Sequence, residues 1–174
     1  MNILLLDVND TNYHVKRKYG ERSLDYAKLL EYIEKDILKD SLTFKRAYGR
    51  TSFGSEHPAK FITFLRALKF DVNYKHTKEN LYQTNNVEMT IDTICNIEQG
   101  YTIIIMSKQI DLNVLIEFLK ARNVKVIVLS CDIPPMLKNL ATACFEIPET
   151  ILRDKNEQAS ERPINTDTGI PVSG

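Results

Sequence analysis

The sequence has no tryptophan, only three cysteines, and no apolar run near the ~20 residues that a membrane-spanning helix needs. Cys95, Cys131 and Cys144 lack CxxC spacing, which argues against a disulfide framework or a zinc site and fits a reducing cytoplasm. No basic segment opens the chain, so we expect no secretory signal and no membrane partner. Charge of one sign is not in excess either, because Lys+Arg and Asp+Glu both number 23. Global basicity therefore does not indicate a nucleic-acid ligand.

Short β-rich runs alternate with helical patterns over most of the 174 residues. We predict strands at 2–7, 42–48, 70–75, 101–106, 124–129 and 144–147. We predict a helix that has Ser23 as its N-cap, three helices over 61–68, 87–97 and 112–121, and a last helix that begins at Pro134 and Pro135. This alternation is typical of a three-layer α/β/α fold with a mostly parallel sheet of five to six strands. Residues 1–150 form the predicted domain, and residues 151–174 are a polar tail that we expect to be disordered.

Acidic side chains follow two of the predicted buried strands. Asp7 ends the first strand, and Asp111 follows the strand at 101–106. In parallel sheets, ligands bind beyond the carboxyl ends of the strands, so these positions are candidates for a site. Each acid has two interpretations: Asp7 either caps the following turn or binds a metal ion, and Asp111 either caps the helix at 112–121 or belongs to the site.

Several segments resemble, in order, those of the NYN domain, a branch of the PIN-like nucleases. They are ILLLD at 3–7, RAYG at 46–49, NVEMTIDT at 86–93, IMSKQIDL at 105–112, and the segments 119–129 and 140–147. The resemblance covers residues 1–150 and implies a PIN-like, Rossmann-like topology. It also implies RNA as substrate, and a site where about four acids hold one or two Mg²⁺ or Mn²⁺ ions that activate water.

Carried over by position, the family's metal-binding acids fall on two carboxylates and two amides. Asp7 and Asp111 keep the carboxylate, whereas Asn86 and Gln109 replace it. The family's second helix acid falls on Asp92. We expect Asp7 and Asp111 to serve as metal ligands and catalytic residues, and Asp92 as catalytic.

Two further carboxylates could compensate for the missing acids. Glu88 lies four residues before Asp92, hence on the same helix face, and it is either a catalytic replacement or a solvated side chain. Asp10 stands where the family has Asn and could add a metal-binding carboxylate.

Charge is unevenly distributed along the chain, which supports a polyanionic partner such as RNA. Residues 41–80 carry eight Lys or Arg against three acids, whereas residues 81–119 carry five acids and one Lys. This predicts an acidic pocket with a basic rim that binds phosphates. The predicted substrate-binding residues are Asn9, Asn12, Lys16, Arg17, Asn86, Ser107, Lys108 and Gln109. Tyr48, Phe53, Tyr74 and Tyr82 lie among the charges and are candidates for stacking on bases.

Three functions fit these residues. The leading hypothesis is a divalent-metal-dependent ribonuclease of the NYN type. The alternative is a catalytically degenerate NYN domain that binds RNA or a protein partner, or forms a homodimer, without cleavage. A phosphatase of the haloacid dehalogenase type is suggested by the run from Asp7 to Thr11, but Asn9 stands where that chemistry needs a second Asp.

Overall fold

The computed structural model describes residues 1–52, 57–77 and 85–154. Its strands are β1 (Asn2–Asp7), β2 (Ser23–Leu24), β3 (Phe44–Ser52), β4 (Asp71–Thr77), β5 (Thr102–Met106), β6 (Lys125–Ser130), β7 (Ala143–Glu146) and β8 (Leu152–Arg153). Its α-helices are α1 (Val8–Tyr19), α2 (Tyr26–Tyr32), α3 (His57–Ala67), α4 (Asn86–Asn96), α5 (Asn113–Ala121) and α6 (Pro135–Leu140). A π-helical segment, Ile33–Leu38, continues α2, and 3₁₀ turns occupy Ile110–Leu112 and Glu149–Ile151. Within the described residues, no helix is both long and apolar enough to cross a bilayer.

Six strands form one parallel sheet in the order β4-β3-β1-β5-β6-β7. β1 lies near its centre, where Leu4 is paired with Lys45 of β3 and Ile104 of β5. The sheet confirms the predicted α/β fold with a mostly parallel sheet. Because all six strands are parallel, their carboxyl ends meet at one edge, which we call the carboxyl edge.

Two hydrophobic cores cover the two faces of the sheet. Successive residues of a strand point to opposite faces, so Leu4 and Leu6 enter one core and Ile3 and Leu5 enter the other. The first core is completed by side chains of α1, α2 and α3, and the second by side chains of α4, α5 and α6. Burial on both faces explains why β1 reads as a continuous apolar run.

Some local predictions were wrong at helix starts and strand ends. The N-cap of α2 is Asp25, whose carboxylate accepts hydrogen bonds from the N–H groups of Ala27 and Lys28, whereas Ser23 lies in β2. β3 continues through Gly49 because that glycine gives room to the Tyr74 ring on the neighbouring strand. Asp111 is not an N-cap, since it lies inside the 3₁₀ turn that precedes α5.

The folded region continues beyond residue 150. Ile151 and Leu152 are buried, and β8 pairs with β2 in a small antiparallel sheet. The Arg153 guanidinium lies 2.7 Å from the Asp25 carboxylate, and this ion pair lowers the pKa of Asp25. Residues 151–153 therefore belong to the domain, Asp154 after them pairs with Arg22, and the rest of the predicted tail, 155–174, lies outside the described residues.

Candidate nucleic-acid interface at the carboxyl edge

Asp7 ends β1 and caps α1. Its Oδ1 accepts hydrogen bonds from the N–H of Asp10 at 3.1 Å and from Nδ2 of Asn85 at 2.8 Å. The residue is only 2% exposed, and burial raises its pKa to about 6. The capping interpretation of Asp7 is therefore confirmed, and one of its two oxygens is already occupied by two protein donors.

Asp10 lies on the inner side of α1 and binds the loop after β5. Its Oδ2 accepts from the Ser107 hydroxyl at 3.1 Å and from the Lys108 N–H at 2.8 Å, while its Oδ1 accepts from Nε2 of Gln109 at 2.8 Å. Nε2 of His14 lies 3.3 Å from the same Oδ1. Both carboxylate oxygens of Asp10 are thus engaged in holding α1 against this loop.

Asn85 and Asn9 join this edge to the end of β3. The Asn9 side chain accepts from the Arg50 N–H at 2.8 Å and donates to the Arg50 carbonyl at 3.0 Å. The Arg50 side chain in turn donates to Oδ1 of Asn85 at 3.1 Å. Sequence reasoning missed Asn85, because its partners come from three separate elements.

Asn86 is the first residue of α4 and the position where the family motif has an acid. The residue is 5% exposed, and neither its Oδ1 nor its Nδ2 has a hydrogen-bond partner among the described residues. A buried amide without partners costs about 1–3 kcal/mol of stability. A residue that lowers stability at a motif position is typically retained for a function, or it remains from an earlier function of that site.

Glu88 and Asp92 are both held by cations, in different places. Oε1 of Glu88 accepts from Arg50 at 2.9 Å and from Lys75 at 2.7 Å. Asp92 accepts from Arg46 at 3.0 Å and lines a cavity with Met1 and Tyr101 at the opposite, amino edge of the sheet. The structure therefore does not bring Asp92 to the carboxyl edge.

Asp111 is exposed in the 3₁₀ turn, and within the described chain no hydrogen bond connects it to Asp7 or Asp10. In residues 1–52, 57–77 and 85–154, no group of three or more His, Cys, Asp or Glu side chains is placed to hold a metal ion.

α1 crosses the carboxyl ends of three strands and carries basic residues along this edge. Thr11 donates to the carbonyl of Met106 at the end of β5, and Lys18 binds Glu146 at the end of β7. The neighbouring Lys16 and Arg17 are exposed. Together with Lys108, they have no carboxylate within 4 Å among the described residues.

His14 is a second residue that sequence reasoning missed. It lies four residues after Asp10 on α1, and burial is the main cause that lowers its pKa. The i, i+4 spacing was the available signal, but it has meaning only once α1 is known to be a helix.

The candidate aromatic residues are placed differently from the prediction. Tyr48 is buried, and its hydroxyl donates to Asp92, so its ring is not exposed for stacking on a base. Tyr74 packs against Gly49, and Phe53 and Tyr82 lie outside the described residues. Tyr13 on α1 is an exposed aromatic side chain that the sequence analysis did not single out. The Asn12 amide, also exposed, accepts from the Tyr26 hydroxyl.

A family model and one solved structure agree with the fold. The NYN domain model matches residues 3–148, which is most of the chain. A crystal structure of a protein of unknown function from Vibrio parahaemolyticus is similar, with 21% identity and a TM-score of 0.72 over 87% of this chain and 95% of that one. The sugar isomerase domain of an RpiR transcription factor from Sphaerobacter thermophilus has 12% identity and a TM-score of 0.34, over 76% of this chain and 68% of that one. A comparison with curated proteins finds no match.

Proposed function

Because the chain belongs to the NYN domain family, whose members are generally nucleases, we propose that it binds RNA at the carboxyl edge without metal-dependent cleavage. One observation carries the proposal. The two buried carboxylates at this edge, Asp7 and Asp10, accept hydrogen bonds from protein donors, and within the described residues they belong to no group of three or more His, Cys, Asp or Glu side chains placed to hold a metal ion. These engaged carboxylates favour the catalytically degenerate alternative over the metal-dependent ribonuclease.

The donor set at this edge does not fit a divalent cation. Mg²⁺ and Mn²⁺ prefer charged oxygen ligands with rigid geometry. Asn86 and Gln109 offer neutral amides, and the Gln109 nitrogen is turned toward Asp10. Asp111 makes no described contact with the other acids. Burial further disfavours the charged form of Asp7, whose pKa is raised to about 6.

Unpaired positive charge at the same edge supports phosphate binding. Lys16 and Arg17 on α1, with Lys108 after β5, are free of described ion pairs and can approach a polyanion. The exposed Asn12 amide and the exposed Tyr13 ring are typical of single-strand recognition, in which polar groups contact the backbone and aromatic rings stack on bases. The Asn9 amide is engaged by Arg50 instead.

Fluorescence anisotropy with a labelled single-stranded RNA tests the proposal. We expect binding at low salt that is unchanged by EDTA and that weakens as salt rises, with a log–log slope of about −2 for three phosphate contacts. For the Arg17→Gln/Lys108→Gln variant, the slope should be shallower by about 1.4. A matched control, Arg122→Gln/Lys125→Gln, removes the same charges at the amino edge and should bind like the unaltered protein.

Two results would count against the proposal. Failure to bind RNA at low salt would remove its basis, since phosphate contacts strengthen under that condition. RNA cleavage that requires Mn²⁺ or Mg²⁺ and disappears in Asp7→Asn would establish the metal-dependent ribonuclease instead. A DNA oligonucleotide of the same sequence should bind more weakly if the 2′-hydroxyl is recognised.

A further inference from the structure

The outer faces of α4 and α5 expose an unusual concentration of branched aliphatic side chains. We call this surface the aliphatic patch; it consists of Val87 (65% exposed), Ile91 (55%), Ile94 (40%), Ile110 (51%) and Val114 (67%).

Helical spacing makes the patch continuous. Val87, Ile91 and Ile94 recur at i, i+4 and i+7, so they form one stripe along α4. Ile110 and Val114 are also four residues apart, and the 3₁₀ turn that holds Ile110 packs against α4. The two rows therefore lie side by side on the second face of the sheet.

α4 is apolar on two opposite sides, which a surface helix does not need. Its inner side already buries Met89 in the second core, and Thr93, one turn later, is buried as well. A surface helix typically buries one apolar stripe, so the second stripe on the outer side of α4 is available to another structure. Contiguous exposed apolar side chains of this kind commonly mark a protein-binding surface.

The charges beside the patch are acidic. Asp111 follows Ile110 directly, and Glu117 lies one helical turn after Val114; both are exposed and have no ion pair within the described part of the chain. Further acids on α4, Glu88 and Asp92, are paired with Arg50, Lys75 and Arg46, so Asp111 and Glu117 are the acids beside the patch that no cation of the described residues pairs with.

We propose that the aliphatic patch binds an amphipathic helical segment of a partner protein, in which a row of apolar residues is flanked by Lys or Arg. The apolar row would cover Val87, Ile91 and Val114, and the basic flanks would complement Asp111 and Glu117. Grooves and stripes of this type recognise helices through i, i+4 and i+7 contacts, and opposite charges at the border direct association.

Other occupants fit less well. A second copy of the chain in a two-fold arrangement would bring Asp111 and Glu117 of both copies toward the same interface, which like-charge repulsion disfavours. RNA is disfavoured because branched aliphatic side chains neither carry charge nor offer a ring for stacking.

A pair of designed helical peptides tests this proposal. Both carry the same row of Leu, flanked by Lys in one peptide and by Glu in the other. Fluorescence anisotropy should show that the Lys peptide binds at least about tenfold more tightly than the Glu peptide, equivalent to about 1.4 kcal/mol. The Asp111→Lys/Glu117→Lys variant should reverse this preference.

Variants of the patch supply the matched comparison. Val87→Ser/Ile91→Ser should weaken the Lys peptide at least about tenfold. Met136→Ser, which removes a similarly exposed apolar side chain from α6, should leave its affinity unchanged. RNA binding should persist in the patch variant, so failure of this proposal can be told apart from failure of the proposed function. Circular dichroism should show that each variant is folded.

Three results would overturn the proposal. They are equal affinity for the two peptides, Lys-peptide binding that survives Val87→Ser/Ile91→Ser, or a concentration-dependent dimer in analytical ultracentrifugation that this variant abolishes. The last result would assign the patch to a homodimer instead.

Discussion

Replacing Asp7 by Asn should stabilise the protein at neutral pH. Burial raises the pKa of Asp7 from 3.8 to about 6, so the folded state holds this proton more tightly than the unfolded chain does. The free energy of unfolding therefore falls as pH rises from about 4 to about 6 and stays lower above that range. Asn keeps an oxygen for the cap of α1 and for Asn85, but it cannot ionise.

The size of the gain follows from the shift. A difference of about two pKa units corresponds to about 3 kcal/mol, because each unit is worth about 1.4 kcal/mol. Urea denaturation followed by circular dichroism should thus show Asp7→Asn to be up to about 3 kcal/mol more stable at about pH 7. The gain should shrink toward zero at about pH 4, where Asp7 is protonated in the folded protein.

A nearby carboxylate provides the control. Asp111→Asn removes the same charge from an exposed position and should leave the free energy of unfolding almost unchanged at both pH values. The reasoning is refuted if Asp7→Asn is less stable than the unaltered protein at neutral pH, or if its gain is equally large at about pH 4.

The remaining predictions also concern unfolding free energies measured in urea. Asn86→Leu should add about 1–3 kcal/mol, because it removes two buried polar atoms that find no partner in the part of the chain that the structure describes; a loss would contradict this. Gln109→Asp should cost about 1–3 kcal/mol, with the cost growing from acidic to neutral pH, because a carboxylate would replace the amide that donates to Asp10; a cost independent of pH would argue against the charge explanation. Gly49→Ala should cost about 1–3 kcal/mol because its Cβ would overlap the Tyr74 ring, and Tyr74→Ala should recover part of that loss in the double variant.

The sheet could be predicted from the sequence because its strands are buried on both faces. β1 reads as an uninterrupted apolar run, and its predicted bounds match those of the structure. α1 could not be predicted in the same way, because its inner side is largely polar. Asp10 bonds the loop after β5, Thr11 donates to the last carbonyl of β5, and His14 lies against Asp10 within α1. Val8 and Val15 alone are too few to show a helical period.

Part of the candidate site was also visible in the sequence. A carboxylate at the end of a buried strand identified Asp7, and the family pattern drew attention to Asp10 and Gln109. Their partners were not predictable, because the residues that Asp10 contacts lie 97, 98 and 99 positions further along the chain. Whether a carboxylate binds a metal ion or a protein donor depends on such distant neighbours, which spacing along the chain does not reveal.

The central place of β1 has a consequence for synthesis. Leu4 emerges from the ribosome 100 positions before Ile104, its partner on β5. At about 5–20 residues per second, one side of this apolar strand stays unpaired for roughly 5–20 s. The edge of β1 that pairs with β5 therefore stays open throughout that interval, and chaperone binding would protect it from aggregation, whereas docking of β3 covers only the other edge.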